Sequence, residues 1–435
     1  MEDTKKELEE RFKKQRLETV TSLFSYSHLP PGTEYEIAQL RAEDGAGSWG
    51  VLYKKGCPKT AIIIMHQRTD NSRHYAIPYL VEAGFAAFGH NNRYVGNDVE
   101  TIHENIVLDI AAGIRWLKQD RGFERVILLG ASGGGALFSF YQSQAQTMPP
   151  HRLTQTPAGD PPDLNQYDLP PADGMIHLAA HIGQGKFLML NIDPSVVDEH
   201  DPLSTDPTLD MYNPANGFRF PPEETRYSQE FLARYRQAQR ARVARIDAIA
   251  RNHIHQQHIF KELMREASFR RLPFEHQLAI RRRAILGTYM LINRTMANPA
   301  CVDLSIDPSD RERGTLRSSE PEVYNFTEYG YARYLTPRAW LSSWSGLSSN
   351  ASTVDCSRKI TVPILMVYGT ADKEVLPQQD AWPIFNATAS RDKQLLFIEG
   401  AGHWFTPEGP KAGKGDQRER TMETIINWLC ERFPI

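Results

Sequence analysis

The sequence predicts an α/β fold: a mostly parallel central sheet with helices on both faces, interrupted by a large, mainly helical insertion. Three observations predict it. Short apolar runs alternate with amphipathic helical stretches from about residue 60 to residue 145, the pattern of strands joined by helical crossovers. The same alternation returns only after residue 360. Between the two blocks lie long Arg-rich helical stretches with no strong buried-strand run.

Each element follows from its own pattern. Residues 4–24 carry Leu8, Phe12, Val20, Leu23 and Phe24 at roughly helical spacing, predicting a surface helix that ends before Pro30-Pro31-Gly32. Residues 35–40 and 49–53 read as two early strands, and 60–65 as a short apolar strand buried on both faces. A helix over 73–83 stops at Gly84, and 85–89 form the next strand. Residues 102–119 form a helix with Ile106, Ile110, Ile114 and Leu117 on one face. The strand 125–129 runs directly into Gly130-Ala131-Ser132-Gly133-Gly134-Gly135 and a helical run over 136–145. Paired prolines at 149–150, 161–162 and 170–171 exclude helix and central strand, so 146–173 reads as an insertion loop. Residues 174–180 resume the sheet. The insertion holds helices over 228–250, with Phe231, Leu232, Tyr235, Val243, Ile246 and Ile249 inward, and over 274–295. Strands over 362–368 and 394–398 and a helix over 418–433 close the chain.

Composition narrows the function classes. The 435 residues carry 50 Lys or Arg against 53 Asp or Glu, a net charge of −3, which argues against nucleic acid as a partner. With 40% hydrophobic and 24% charged residues the chain reads as a soluble globular protein. No apolar run approaches the roughly 18 residues of a membrane helix, so no membrane partner is expected. The four cysteines form no C-x-x-C pair, which points to neither a disulfide framework nor a zinc site. The charged N-terminus lacks an apolar signal core, and a cytoplasmic location is the expectation. No cofactor or metal is implied. His253, His255 and His258 have no carboxylate to complete a metal set, and Arg281-Arg282-Arg283 point apart on a helix; both read as solvated faces.

The chemistry lies in three places. Gly130-Ala131-Ser132-Gly133-Gly134 matches G-x-S-x-G, with a buried strand before it and a helix after it. So sharp a turn lifts the Ser132 hydroxyl out of the sheet and sets it at a helix N-terminus, where the Gly133 N–H can hold an oxyanion. A phosphate-cradling reading is weaker, because G-x-G-x-x-G is absent and no G-K-[ST] follows. A serine needs a base, and the base an acid. Asp372 follows the strand 362–368 and His403 follows the strand 394–398, both at the strand ends where parallel sheets place their sites.

The order Ser132…Asp372…His403, with Gly130–Gly134, Gly369–Asp372 and Gly402-His403, resembles the α/β-hydrolase superfamily over residues 36–181 and 360–435. The resemblance implies a second oxyanion donor from the loop after the third strand, where such proteins often carry His-Gly-x. Here the loop is His66-Gln67-Arg68, with Gln67 in place of glycine; by position Arg68 gives the backbone donor, with Gln67 as the fallback. The loop His90–Gly96 resembles the superfamily's Asp-x-Arg-Gly-x-Gly loop, in which Arg93 acts as a brace. The resemblance divides the chain into an N-terminal arm (1–35), a catalytic core in two parts (36–181 and 359–435) and a cap (182–358). The cap is rich in aromatics, and the expected pocket wall comprises His66, His181, Trp340, Trp344 and Trp404.

The reaction so implied is hydrolysis of a carboxylic ester or lactone of a bulky apolar or aromatic small molecule through an acyl-enzyme. The same triad serves C–C hydrolases, thioesterases and acyltransferases, and a non-catalytic receptor on this scaffold is a further alternative. The arm and the proline-rich loop are candidate contacts for a homodimer.

Overall fold

A computed structural model describes residues 23–435. The helix expected over residues 4–24 lies almost wholly outside them; Leu23 bridges to His74, and Phe24 is buried.

Eight strands form one sheet: β1 (Glu34–Arg41), β2 (Gly47–Lys54), β3 (Thr60–Ile64), β4 (Ala86–Asn91), β5 (Arg125–Ala131), β6 (Gly174–Leu178), β7 (Ile364–Gly369) and β8 (Lys393–Ile398). Their order is β1-β2-β4-β3-β5-β6-β7-β8. β1 pairs antiparallel with β2, and β2 antiparallel with β4. The remaining neighbours are parallel. Every residue of β3, β4, β6 and β7 is buried, which explains why β3 and β7 are apolar runs rather than alternating ones; β4 and β6 add the buried His90, Asn91 and His177. β8, at the sheet edge, alternates exposed and half-buried positions.

Helices cover both faces. On one, α2 (His103–Arg115) and α3 (Gly133–Ala145) pack Ile106, Ile110, Ile114, Phe138 and Phe140 against the sheet. On the other, α1 (Ala76–Glu82) and the C-terminal α7 (Gln417–Arg432) contribute Ile77, Leu80, Ile425, Trp428 and Leu429. α3 begins at Gly133, inside the glycine run, three residues earlier than periodicity predicts. The proline-rich stretch after α3 is tied down by its neighbours: Gln142 brackets Ala172 through N–H and C=O bonds of 3.0 and 3.1 Å, and the Tyr141 hydroxyl donates to Pro170 O at 2.6 Å.

Between β6 and β7 the chain makes its helical excursion, with α4 (Gln184–Asn191), α5 (Gln229–Arg265) and α6 (Phe274–Ala284). α5 runs fifteen residues beyond the expected end, since no Gly or Pro interrupts residues 251–265 and the last five, Lys261 to Arg265, are good helix formers. α6 stops well short of residue 295; after Gly287 the chain turns extended, and Met290–Leu291 pairs antiparallel with Tyr334–Leu335. A second short hairpin joins Val196–Asp198 to Asp201–Thr205, so the excursion is not purely helical.

Its centre is ionic. The fully buried Asp193 accepts from Arg294 (2.8 Å), Asn325 (2.8 Å) and the Ser195 hydroxyl (2.7 Å), while Arg242 pairs with Glu199 at 2.8 Å. Breaking such a pair from one side leaves a charge uncompensated in a dry interior. Asp193→Ala is therefore expected to lower stability by about 3–5 kcal/mol, seen as a fall in the thermal midpoint.

Candidate active site

Ser132 sits between β5 and α3 with φ 52° and ψ −122°, a conformation costly for a non-glycine residue. Neighbouring glycines make it affordable in space. A Cβ on Gly130 would come within 2.5 Å of the Gly134 backbone, and one on Gly134 would run into Met65 O. The Ser132 N–H donates to Leu178 O at 2.8 Å, which ties the turn to β6.

The acid and base loops are pressed together. A Cβ on Gly369 would collide with Ala401 O, Ala371 N donates to Ala401 O at 2.9 Å, and Gly400 N donates to the Thr370 hydroxyl at 2.9 Å. The buried Asp372 accepts from Glu374 N (2.8 Å) and Val375 N (3.1 Å) through Oδ1, and meets His403 Nδ1 at 2.8 Å through Oδ2. Burial alone would depress the His403 pKa, but the Asp372 charge and hydrogen bond overcome it and raise it to about 9.

Ser132 and His403 line one cavity of about 320 Å³, together with His66, Arg68, Thr69, Asp70, Asn71, His74, Tyr75, Leu178, Leu316, Arg317, Tyr331, Glu374 and Trp404, among others. The Trp404 ring stands edge-on to His403, with centroids 5.4 Å apart. Four other histidines at or near this site stay neutral, among them His74, pushed down to about 3 by burial. Burial first, then nearby cationic groups, holds His66 well below its ordinary value; His181 is pushed down to about 3 and His103 to about 4.

Several expected site residues are engaged by neighbours or fall elsewhere. The Arg68 N–H donates to His66 Nδ1 at 3.0 Å, so it is already engaged, and the Arg68 side chain pairs with Asp98 at 2.8 Å and covers Trp344 at 5.1 Å. Gln67 is buried, with its amide against the elbow: a Cβ on Gly133 would strike Gln67 Nε2. Gln67 Nε2 also donates to Gln184 Oε1. His181 stacks on Phe187 and accepts from Gly183 N, marking the bend into the excursion rather than the cavity wall. Trp340 is fully buried and donates from Nε1 to Asp247 at 2.7 Å; Trp344 is buried beside it. Most aromatics of the excursion are similarly used internally. Phe218, Tyr227, Phe231 and Tyr235 fill one cluster, whereas Tyr331 reaches the cavity. Apolar side chains cover the excursion's own helices first, which is why its aromatic content does not translate into an aromatic pocket.

Two further acids near β8, Glu399 and Asp392, are engaged away from His403. Glu399 pairs with Lys411 at 3.2 Å, and Asp392 with Arg432 at 2.8 Å. Arg93 braces its loop between Asp44 and Asp109. Sequence reasoning missed Asp380. This carboxyl, pushed up to about 7 by burial, accepts from Ile182 N (3.1 Å) and Leu376 N (2.9 Å) and so joins the root of the excursion to the loop that carries Asp372. Nothing in its local sequence marks it. Glu374, two residues beyond Asp372, also faces the cavity and accepts from the Tyr331 hydroxyl at 3.1 Å.

The strand order, with Ser132 after the fifth strand and Asp372 and His403 after the last two, defines an α/β-hydrolase fold. Solved structures similar in fold include an α/β hydrolase from a Penicillium species, at 12% identity and TM-score 0.48, covering 92% of this chain and 99% of that one. An esterase from Pyrococcus furiosus aligns at 13% identity and TM-score 0.41, covering 92% and 91%. A monoacylglycerol lipase from Paleococcus ferrophilus aligns at 13% and 0.40, covering 92% and 100%. At these values the likenesses carry no argument, and the assignment rests on the strand order. No protein-family model and no curated protein matches the sequence.

The pair itself is open to test. By NMR titration the His403 ring is expected to titrate near 9, and Asp372→Asn, which removes the charge but keeps the burial, to bring that value below the ordinary 6.5 of histidine.

Proposed function

We propose that this protein is a serine hydrolase that cleaves carboxylic esters or lactones through an acyl-enzyme. The observation that carries the reading is one cavity holding the strained Ser132 and a His403 whose Nδ1 is fixed by buried Asp372 at 2.8 Å. With Nδ1 so engaged, Nε2 is the nitrogen left to take the serine proton as Oγ attacks the carbonyl carbon. The same nitrogen then returns the proton to the leaving alkoxide. Water, deprotonated in turn by His403, releases the acid.

The Gly133 N–H, at the start of α3, is the first oxyanion donor. Since the single Arg68 N–H is engaged with His66, Gln67 is the second, through the Nε2 hydrogen that its bond to Gln184 leaves over, beside Gly133. The substrate expectation changes as well. A cavity of about 320 Å³ with Arg68, Arg317, Asp70 and Glu374 on its wall suits a small, polar ester better than a bulky aromatic one.

Ser132→Ala is expected to abolish both ester turnover and labelling by a fluorophosphonate probe while leaving the circular dichroism spectrum unchanged; a wild-type protein that resists the probe overturns the reading. Gln67→Leu is expected to lower kcat roughly 10²–10³-fold with little change in KM, measured on p-nitrophenyl esters of graded size. Because the base must be neutral, kcat/KM is expected to rise with pH and level off above about 9, the raised value of His403.

A further inference from the structure

The outer end of the helical excursion combines two properties that the active site does not use. Residues 251–291, which span the distal half of α5 and all of α6, carry eight Lys or Arg against three Asp or Glu, in a chain whose total charge is −3. Arg270, Arg271, Arg281, Arg282 and Arg283 are all exposed, and none forms an ion pair among the described residues. Two of them lie over rings, Arg281 over Phe269 and Arg283 over Phe260. Of the three acids, Glu262 pairs with Arg265 and Glu266 accepts from the Ser268 hydroxyl, which leaves Glu275 against the free arginines.

The second property is apolar exposure. α6 buries only Ala284. Phe274, Leu278 and Ile285 recur at spacings of four and seven, so they share one side of the helix. Phe274 is 70% exposed, Ile285 79% and Leu286 60%, with Tyr289 and Leu291 also exposed just beyond. Arg281 and Arg282 fall on either side of that stripe by helical spacing. A row of large apolar side chains open to water and flanked by unpaired guanidinium groups is the pattern of a helix that lies in a membrane interface.

We propose that this tip docks the protein on a lipid surface bearing anionic headgroups, with Phe274, Ile285 and Leu286 entering the acyl boundary and Arg281 and Arg282, on either side of them, meeting the phosphates. Charge complementarity favours lipid over the alternatives. A second copy joined by a two-fold axis sets the same arginines against each other. A nucleic acid accounts for the arginines but not for the exposed Phe274, Ile285 and Leu286, and the chain as a whole is acidic. The expectation of no membrane partner concerned spanning segments, and no helix among the described residues is long and apolar enough to cross a membrane; docking requires none.

The test is co-sedimentation of the full chain with phosphatidylcholine vesicles, with or without a third of phosphatidylserine, at low and high salt. Binding is expected on the serine-containing vesicles only and is expected to weaken with salt. Arg281→Ala with Arg282→Ala is expected to weaken it roughly 30-fold. Phe274→Ser with Ile285→Ser is expected to abolish it. Both variants should keep the wild-type melting temperature and fluorophosphonate labelling, since they alter exposed residues far in sequence from the triad. Absence of binding by the wild type, or equal binding by the variants, overturns the proposal. So does a wild-type dimer that the same substitutions convert to monomer, because the surface then belongs to a second copy.

Discussion

The Asp372 carboxylate, almost wholly removed from water, accepts from two backbone N–H groups and from the His403 ring. A buried carboxylate without such partners would protonate, and an imidazole without the carboxylate would stay neutral in the same dry setting. Each therefore supplies what the other lacks, and the surrounding backbone is arranged to hold them at hydrogen-bond distance. The collision that any side chain at Gly369 would make with Ala401 shows how little slack exists between the two loops. Asp380 extends this tie outward, since its two oxygens hold the loop after Asp372 and the first turn of the helical excursion together.

The same low-dielectric environment acts oppositely on the neighbouring histidines. His66, His103 and His181 have no carboxylate and are held neutral by burial, whereas His403 is held cationic over most of the accessible pH range. His74, on the cavity wall, is likewise pushed down to about 3 by burial, so His403 stands as the protonated ring among neutral ones. The neutral His66 instead serves as a hydrogen-bond acceptor that shapes the loop bearing Gln67 and Arg68.

Much of this was legible in the sequence, and the reason is local. β3, β5 and β7 announce themselves as apolar runs because both faces are covered, and the glycines around Ser132 are there because backbone passes within contact distance. Helix ends were less legible: α6 stops shortly before the excursion's own hairpin begins, a tertiary event that periodicity does not register. The pocket was illegible for a similar reason. Trp340 and Trp344 look like pocket walls in sequence, yet they are consumed by packing, with Trp340 fastened to Asp247 some ninety residues away. Asp380 could not be read because its role is defined by Ile182, nearly two hundred positions earlier.

The excursion leaves and returns at one point. Thr353 N donates to Ile182 O at 3.0 Å, its hydroxyl donates to His181 O at 2.8 Å, and Gly183 lies so close to Ala351 that a Cβ would collide with it. About 170 residues thus begin and end within a hydrogen bond of each other. To the sheet they are a single surface loop, and loop-closure entropy grows only slowly with length. Changes of length within that stretch leave the strand order untouched, so its outer parts, beyond the bonds of Asp307 and Asp310 to the loop after β7, are free to diversify at a rate the sheet is not.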